Sequence, residues 1–299
     1  MAVRTVADTL HYSTIKLTSY CDGTEDGCGT GFFVELANRE GTCIPAIVTN
    51  KHVIKNCDQV IALLHLGDGA PSGESEEFEI LLKGRVINHP DADVDLCAIL
   101  VGDILAKAKS DGEPLFFAAI TMESVPADDD WEFFDAMEEV VMVGCPNGIF
   151  DEENNLPIAR RGITATPINK QYEGRDEFMI DMACFYGSSG SPIFIYNQHG
   201  YFDVKANTYR IGERRALLVG VLCTGPEFTH EATVELKKKG RVEINTMMHL
   251  GYAIRSSAIR EIEKEALKAL APKSIILPQI SLGSTFNVFG QFPTLGREP

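Results

Sequence analysis

The chain is short of positive charge. It carries 27 Lys and Arg against 43 Asp and Glu, for a formal net charge of −16. A protein that grips a nucleic-acid backbone or an anionic membrane needs basic patches to neutralise phosphate, so neither partner is expected. The one basic run, Lys237-Lys238-Lys239, reads as a solvated turn. Long apolar runs are also missing, and no stretch approaches the roughly 18 residues of a membrane span. Met1 to Lys16 holds no apolar segment behind a basic start, so no secretory leader is expected and the cytoplasm is the expected compartment. Internal repeats, low-complexity segments and cofactor motifs are lacking, and no cofactor is expected.

Cysteine is not scarce, at 8 residues. Without a leader, a reducing compartment makes free thiols the expectation. Cys97, Cys145, Cys184 and Cys223 lie in or beside apolar runs, as small core residues do. Cys21 and Cys28 share a Gly/Asp loop, but their separation is not one of the short spacings of zinc sites, and no metal is expected there.

Hydrophobic content of 44% and charged content of 23% are those of an ordinary globular protein. Short apolar runs alternate with Gly, Asn, Asp and Pro at roughly 8–12 residue spacing, the texture of an all-β sandwich or barrel. Examples are Ser13 to Thr18, Gly31 to Leu36, Ile44 to Val48, Gln59 to Leu64, Phe78 to Ile87, Leu96 to Val101, Val140 to Val143, Phe178 to Met182, Ile193 to Tyr196 and Ala216 to Cys223. Helical spacing appears near Asp103 to Lys109. It recurs from Ser256 or Ser257, as a cap, through Leu270, with Ile259, Ile262, Ala266 and Leu270 on one side and Pro272 as a stop. The mixed, acidic stretch Leu115 to Asp135 reads as a crossover. The tail from Ile275 is rich in Pro, Gly and Ser but carries aromatic residues that suit packing on a surface.

The richest chemistry lies in Gly187-Ser188-Ser189-Gly190-Ser191-Pro192, a serine on a glycine-lined turn ahead of the apolar run Ile193 to Tyr196. A serine hydroxyl becomes a useful nucleophile only with a base to take its proton and N–H groups to hold the oxyanion. Taken alone, this hexapeptide fits an ordinary turn as well. Upstream, Thr49-Asn50-Lys51-His52-Val53 follows an apolar run, and Asp95-Leu96-Cys97-Ala98-Ile99 opens another. The chain order His, Asp, Ser is one of three unrelated orders in which the same catalytic triad occurs. Asp91 and Asp93 lie close enough to compete with Asp95.

These segments resemble the trypsin/chymotrypsin-like serine peptidases, above all the bacterial branch that includes the high-temperature-requirement proteases. Gly29-Thr30-Gly31-Phe32-Phe33-Val34, Val143-Gly144-Cys145-Pro146-Asn147-Gly148, Gly162-Ile163-Thr164-Ala165, Val219-Gly220-Val221 and Gly251-Tyr252-Ala253-Ile254 join them in family order. The resemblance implies two six-stranded antiparallel β-barrels with a C-terminal helix. Residues 1–115 would form the barrel carrying His and Asp, 116–135 the crossover, 136–255 the barrel carrying Ser, and 256–299 the helix and a tail too short for the peptide-binding domain of many bacterial relatives.

It also implies roles. His52 would be general base and then general acid, a task suited to an imidazole that can take up a proton and give it back. Asp95 would orient it, Ser189 would attack, and the Gly187 and Ser189 N–H groups would form the oxyanion hole. Ala183, Cys223, Thr224, Gly225 and Gly251 would line the specificity pocket, with an uncharged base that favours an apolar P1 side chain. Ser188 stands where zymogen-activated relatives keep an aspartate, which argues against activation by a freshly cut N-terminus. Cys223 stands where secreted relatives place a serine that supports the aspartate. The segment Pro226 to Leu250 is long for its connection, bringing Glu227 or Glu231 within reach of the pocket. The expected partner is a protein or peptide substrate. Alternative readings are a latent peptidase that needs a protein activator, and a binding module of the same fold that has lost catalysis.

Overall fold

The computed structural model describes residues 5–39, 42–235 and 239–270. The N-terminal half begins with α1 (Val6–Tyr12), which the apolar pattern did not predict. Its signal is a capping box: Asp8 N–H donates to Thr5 Oγ1 at 3.1 Å, and Thr5 N–H donates to Asp8 Oδ2 at 3.0 Å. The strands that follow are β1 (Thr14–Cys21), β2 (Thr24–Arg39), β3 (Thr42–Thr49), β4 (Gln59–Leu66), β5 (Ser75–Leu81), β6 (Val86–Asn88) and β7 (Cys97–Leu100), and then comes α2 (Gly102–Ser110). Two short strands, β8 (Leu115–Phe116) and β9 (Ile120–Thr121), occupy the expected crossover and pair with β4 and β2.

The nine strands form one sheet, ordered β5-β4-β1-β2-β3-β7-β6 along its main path. The sheet curls around Leu17, Phe33, Ile47, Val60, Ile80 and Ile99, which form one buried cluster. A closed six-stranded barrel was expected here. Among the described residues no ladder joins the end strands β5 and β6, which are linked instead by a tight turn, with Arg85 N–H donating to Leu82 O at 3.1 Å. β6 has only 3 residues.

The C-terminal half is closed. Its strands are β10 (Glu139–Gly144), β11 (Ile158–Thr164), β12 (Glu177–Asp181), β13 (Pro192–Asn197), a hairpin of β14 (Gly200–Asp203) and β15 (Thr208–Ile211), β16 (Arg215–Thr224), a hairpin of β17 (Glu227–Glu235) and β18 (Lys239–Met247), and β19 (Leu250–Arg255). The strands β10-β11-β12-β19-β16-β13 make a closed barrel. Val140, Met142, Phe178, Ile180, Ile193 and Val219 fill it, with Trp131 and Phe134 packed on the same cluster. The long segment Pro226 to Leu250 is therefore mostly a two-stranded ribbon.

α3 (Ala258–Leu270) closes the described chain, where helical spacing predicted it. Ser256 is turned inward: its hydroxyl donates to Leu218 O at 2.6 Å and ties the helix start to β16. Ile259, Ile262 and Ala266 join a third cluster with Phe32, Val34, Phe194, Leu218 and Ile254. That cluster welds the two β units together. No described helix is long and apolar enough to cross a membrane. Lys237, Lys238 and the tail from residue 271 lie outside the described residues.

Candidate active site

His52 sits on a single 3-10 turn, Lys51–Ile54, that leaves the end of β3. The turn is held from below. Asn50 is fully buried and its Nδ2 donates to Asp95 O at 2.8 Å, while Val53 and Ile54 anchor in the core. Asp95 lies just ahead of β7, which pairs with β3 from Thr49↔Cys97 onward. Strand pairing thus carries the acid to the histidine. One Asp95 oxygen accepts the His52 backbone N–H at 3.0 Å, and the other forms a short hydrogen bond with His52 Nδ1. Of the three nearby carboxylates, Asp95 is the one that holds the ring. Asp91 uses its carbonyl to accept from Lys51 Nζ at 2.9 Å and its carboxylate to accept from Asp93 N–H at 2.9 Å.

Burial raises the pKa of the Asp95 carboxyl. The hydrogen bonds and charge of His52, together with the Cys223 thiol, outweigh that effect and hold Asp95 below the ordinary carboxylate value. Cys223 Sγ donates to Asp95 Oδ2 at 3.3 Å. The thiol is itself pushed upward, by burial and by the Asp95 charge, so it stays protonated and keeps its donor.

Ser189 is half-buried at the tip of the glycine-lined turn. Its hydroxyl donates to Cys223 O at 3.1 Å and, among the described residues, makes no hydrogen bond to His52. The turn demands glycine. Gly190 has φ +86°, and a Cβ there would lie 2.0 Å from Thr30 O; Gly187 has φ +75° and abuts Cys145 O. The N–H groups of Gly187 and Ser189 donate to no group among the described residues. Ser188 is fully buried, and its hydroxyl accepts from Arg160 Nη1 at 2.8 Å.

The expected pocket residues are brought to one end of the closed barrel. Gly251 pairs with Ile180, Thr224 pairs with Tyr252, and Ala183 follows β12. A Cβ on Gly251 would meet Leu222 Cδ1 at 2.6 Å and Cys184 Sγ at 2.7 Å, so the wall behind it is apolar. The Ala183 carbonyl accepts from Arg160 Nη1 at 2.8 Å. Gly225 follows β16, and the side chains of Glu227 and Glu231 lie outside the described residues.

Two residues of this neighbourhood were not picked out for it in the sequence. Thr30, quoted only as part of a motif, is fully buried between the units. Its hydroxyl donates to Gly187 O at 2.9 Å and accepts from Cys145 N–H at 3.0 Å, while its backbone N–H donates to Ser189 O at 2.8 Å. Arg160 on β11 points under the serine turn, and its Nε and Nη2 are buried without a partner among the described residues. The available signal was period two: Arg161, its neighbour, is exposed and pairs with Glu139 across the ladder.

Residues 29–202 match the trypsin-like peptidase domain family, and the chain belongs to that family. Among solved structures it is similar to a serine endoprotease from Yersinia pestis, at 14% identity and TM-score 0.47, covering 89% of this chain and 68% of that one. It is also similar to the MamO protease domain from Magnetospirillum magneticum, at 12% identity and TM-score 0.44, covering 85% and 97%. A thermostable serine protease from an extremophilic microorganism gives 12% identity and TM-score 0.47, covering 87% and 98%. No curated protein matches the chain in sequence.

Proposed function

We propose that this trypsin-like peptidase is a serine endopeptidase whose nucleophile is Ser189, with His52 as base and Asp95 as its orienting acid. One observation carries the reading: the Asp95 carboxylate clasps both the backbone N–H and the Nδ1 of His52. That clasp fixes the tautomer and leaves Nε2 free to take a proton. Ser189 Oγ then attacks the scissile carbonyl carbon while its proton passes to Nε2. The carbonyl π pair moves onto oxygen, where the N–H groups of Gly187 and Ser189 receive it. Collapse breaks the C–N bond, the amine takes the proton from His52, and an acyl-enzyme remains. Water repeats the sequence and releases the acid.

The serine is not yet aimed at the base, because its hydroxyl rests on Cys223 O. This favours a second reading, a peptidase that becomes competent only when substrate or a protein activator turns that hydroxyl. Catalytic hydrogen bonds commonly tighten only in the complex. The substrates we propose are proteins or peptides in the reducing cytoplasm, consistent with Cys97, Cys145 and Cys184 buried as free thiols.

A fluorophosphonate probe tests the reading. Labelling of the purified protein that vanishes in Ser189→Ala is expected. Labelling that persists in that variant would remove Ser189 from the role. Labelling that appears only with an added peptide or partner would establish the latent form. For specificity, we infer an apolar P1 residue: the pocket base has no acid, and the Arg160 guanidinium at the Ala183 carbonyl opposes Lys or Arg. Paired peptides with Leu or Phe against Lys or Arg at P1 should differ in kcat/KM in favour of the apolar member, and an Arg preference would reject the assignment.

A further inference from the structure

On the far side of the His52 turn, three chain segments bring metal-binding side chains together. Cys21 ends β1, Asp26 lies near the start of β2, and Cys57 lies in the loop just after the His52 turn. Their Sγ and carboxylate atoms all fall within 4.8 Å of one another, and Cys57 Sγ lies 3.9 Å from Asp26 Oδ2. The backbone around them is already fixed. Asp58 N–H donates to Tyr20 O at 3.1 Å, Asp22 N–H donates to Asp58 Oδ1 at 3.0 Å, and Cys57 N–H donates to Ile54 O at 3.2 Å. Cys28, which chain proximity pairs with Cys21, goes elsewhere: its Sγ lies 3.4 Å from where a Cβ on Gly148 would sit.

We propose that Cys21, Asp26 and Cys57 form a binding site for a borderline-soft divalent cation of the zinc class. A tetrahedral zinc with sulfur at about 2.3 Å and oxygen at about 2.0–2.2 Å holds its ligand atoms roughly 3.5–3.8 Å apart. The three groups therefore need to draw in by only about an ångström, through side-chain rotation. Two thiolates and one carboxylate match zinc in softness, and the fourth position is left to water. Each thiol gives up its proton to solvent as it binds. The bound ion would join the β1–β2 hairpin to the loop that leaves the His52 turn, bracing the turn from outside.

A disulfide between Cys21 and Cys57 would leave Asp26 without a role and would need an external oxidant, so the carboxylate favours the cation. The cluster His52, Asp95 and Cys223 also gathers potential ligands. There the acid and the ring are already bonded to each other.

The test uses the full-length chain, reduced and stripped with chelator, then titrated with Co2+ and back-titrated with Zn2+. The expected result is one equivalent of Co2+ with a thiolate-to-cobalt absorption band, displaced by Zn2+. The band should vanish in Cys57→Ser. Affinity should fall in Asp26→Asn by at least the roughly tenfold that loss of even an outer-shell partner costs. It should persist in Cys223→Ser, with circular dichroism showing each variant folded. The proposal is overturned by the absence of a band, by a band that survives Cys57→Ser, or by one that is lost in Cys223→Ser. Intact mass showing a native Cys21–Cys57 disulfide in the unreduced protein would overturn it as well.

Discussion

Cys223 is the residue on which two parts of the site depend. Its thiol supports Asp95, and its carbonyl holds the Ser189 hydroxyl. A serine there would keep the donor, and an alanine would remove it. A hydrogen bond to a charged group is worth about 1.5–3 kcal/mol, and a thiol, as a weak donor, falls below that range at about 1 kcal/mol. Cys223→Ala should therefore lower kcat/KM about fivefold while Cys223→Ser stays near the parent. The pH dependence carries a sign. Asp95 lies below the ordinary carboxylate value when folded. Its stabilisation is therefore present above that value and is lost as pH falls through the depressed one. Removing the thiol raises the folded pKa, so acid unfolding of Cys223→Ala should begin at higher pH than that of Cys223→Ser. Indistinguishable kinetics and acid melts for the two variants would show that the thiol does not brace the acid.

At the scale of elements, β2 shows how a long strand can serve several neighbours at a cost. It pairs with β1, β3 and β9, and this buries Glu35 at 1% exposure. One Glu35 oxygen accepts from Asn38 Nδ2 at 2.6 Å, while Oε1 is buried without a partner among the described residues. Burial raises the pKa of this carboxyl beyond what Asn38 can offset. A carboxyl with a raised folded pKa weakens the fold at high pH and returns that stability as pH falls through the raised value toward the ordinary one. Glu35→Gln should thus be more stable than the parent at pH 8. The advantage should shrink on acidification toward pH 5, as denaturant melts at the two pH values would show. An unchanged difference across that range would mean that Glu35 is not the titrating group. Several elements were not legible in the apolar pattern, α1, β8 and β9 among them. α1 is announced by its capping box, and β8 and β9 have only 2 residues each, too few to show any period.

At the scale of the whole molecule, the serine turn is built by both β units. Thr30 belongs to the N-terminal sheet, yet it bonds Gly187 and Cys145 through its hydroxyl and Ser189 through its backbone. Thr49 Oγ1 in turn donates to Thr30 O at 2.8 Å. Thr30→Val keeps the shape and strands a buried carbonyl and a buried N–H. Each stranded group costs about 1–3 kcal/mol. The variant should lose about 2–6 kcal/mol of stability and label more slowly with the fluorophosphonate probe even where it is fully folded. Normal labelling in a destabilised variant would confine Thr30 to a structural role.

The sequence by itself determined the parts of this protein that are written in short segments. The run of apolar strands, the closing helix and the Gly-Ser-Ser-Gly turn each depend on a few neighbouring residues whose backbone preferences are local. Family order then placed His52, Asp95 and Ser189 in one constellation. Only the tertiary structure decided what depends on residues distant in the chain. It chose Asp95 over Asp91 and Asp93 at His52, because β3 and β7 pair in one register. It set the strand order β5-β4-β1-β2-β3-β7-β6 in the N-terminal sheet. It also set Arg160 and Thr30 beneath the serine turn, and brought Cys21 to Cys57 rather than to Cys28. Strand register and packing between units create those meetings, and neither is encoded in the spacing of residues along the chain.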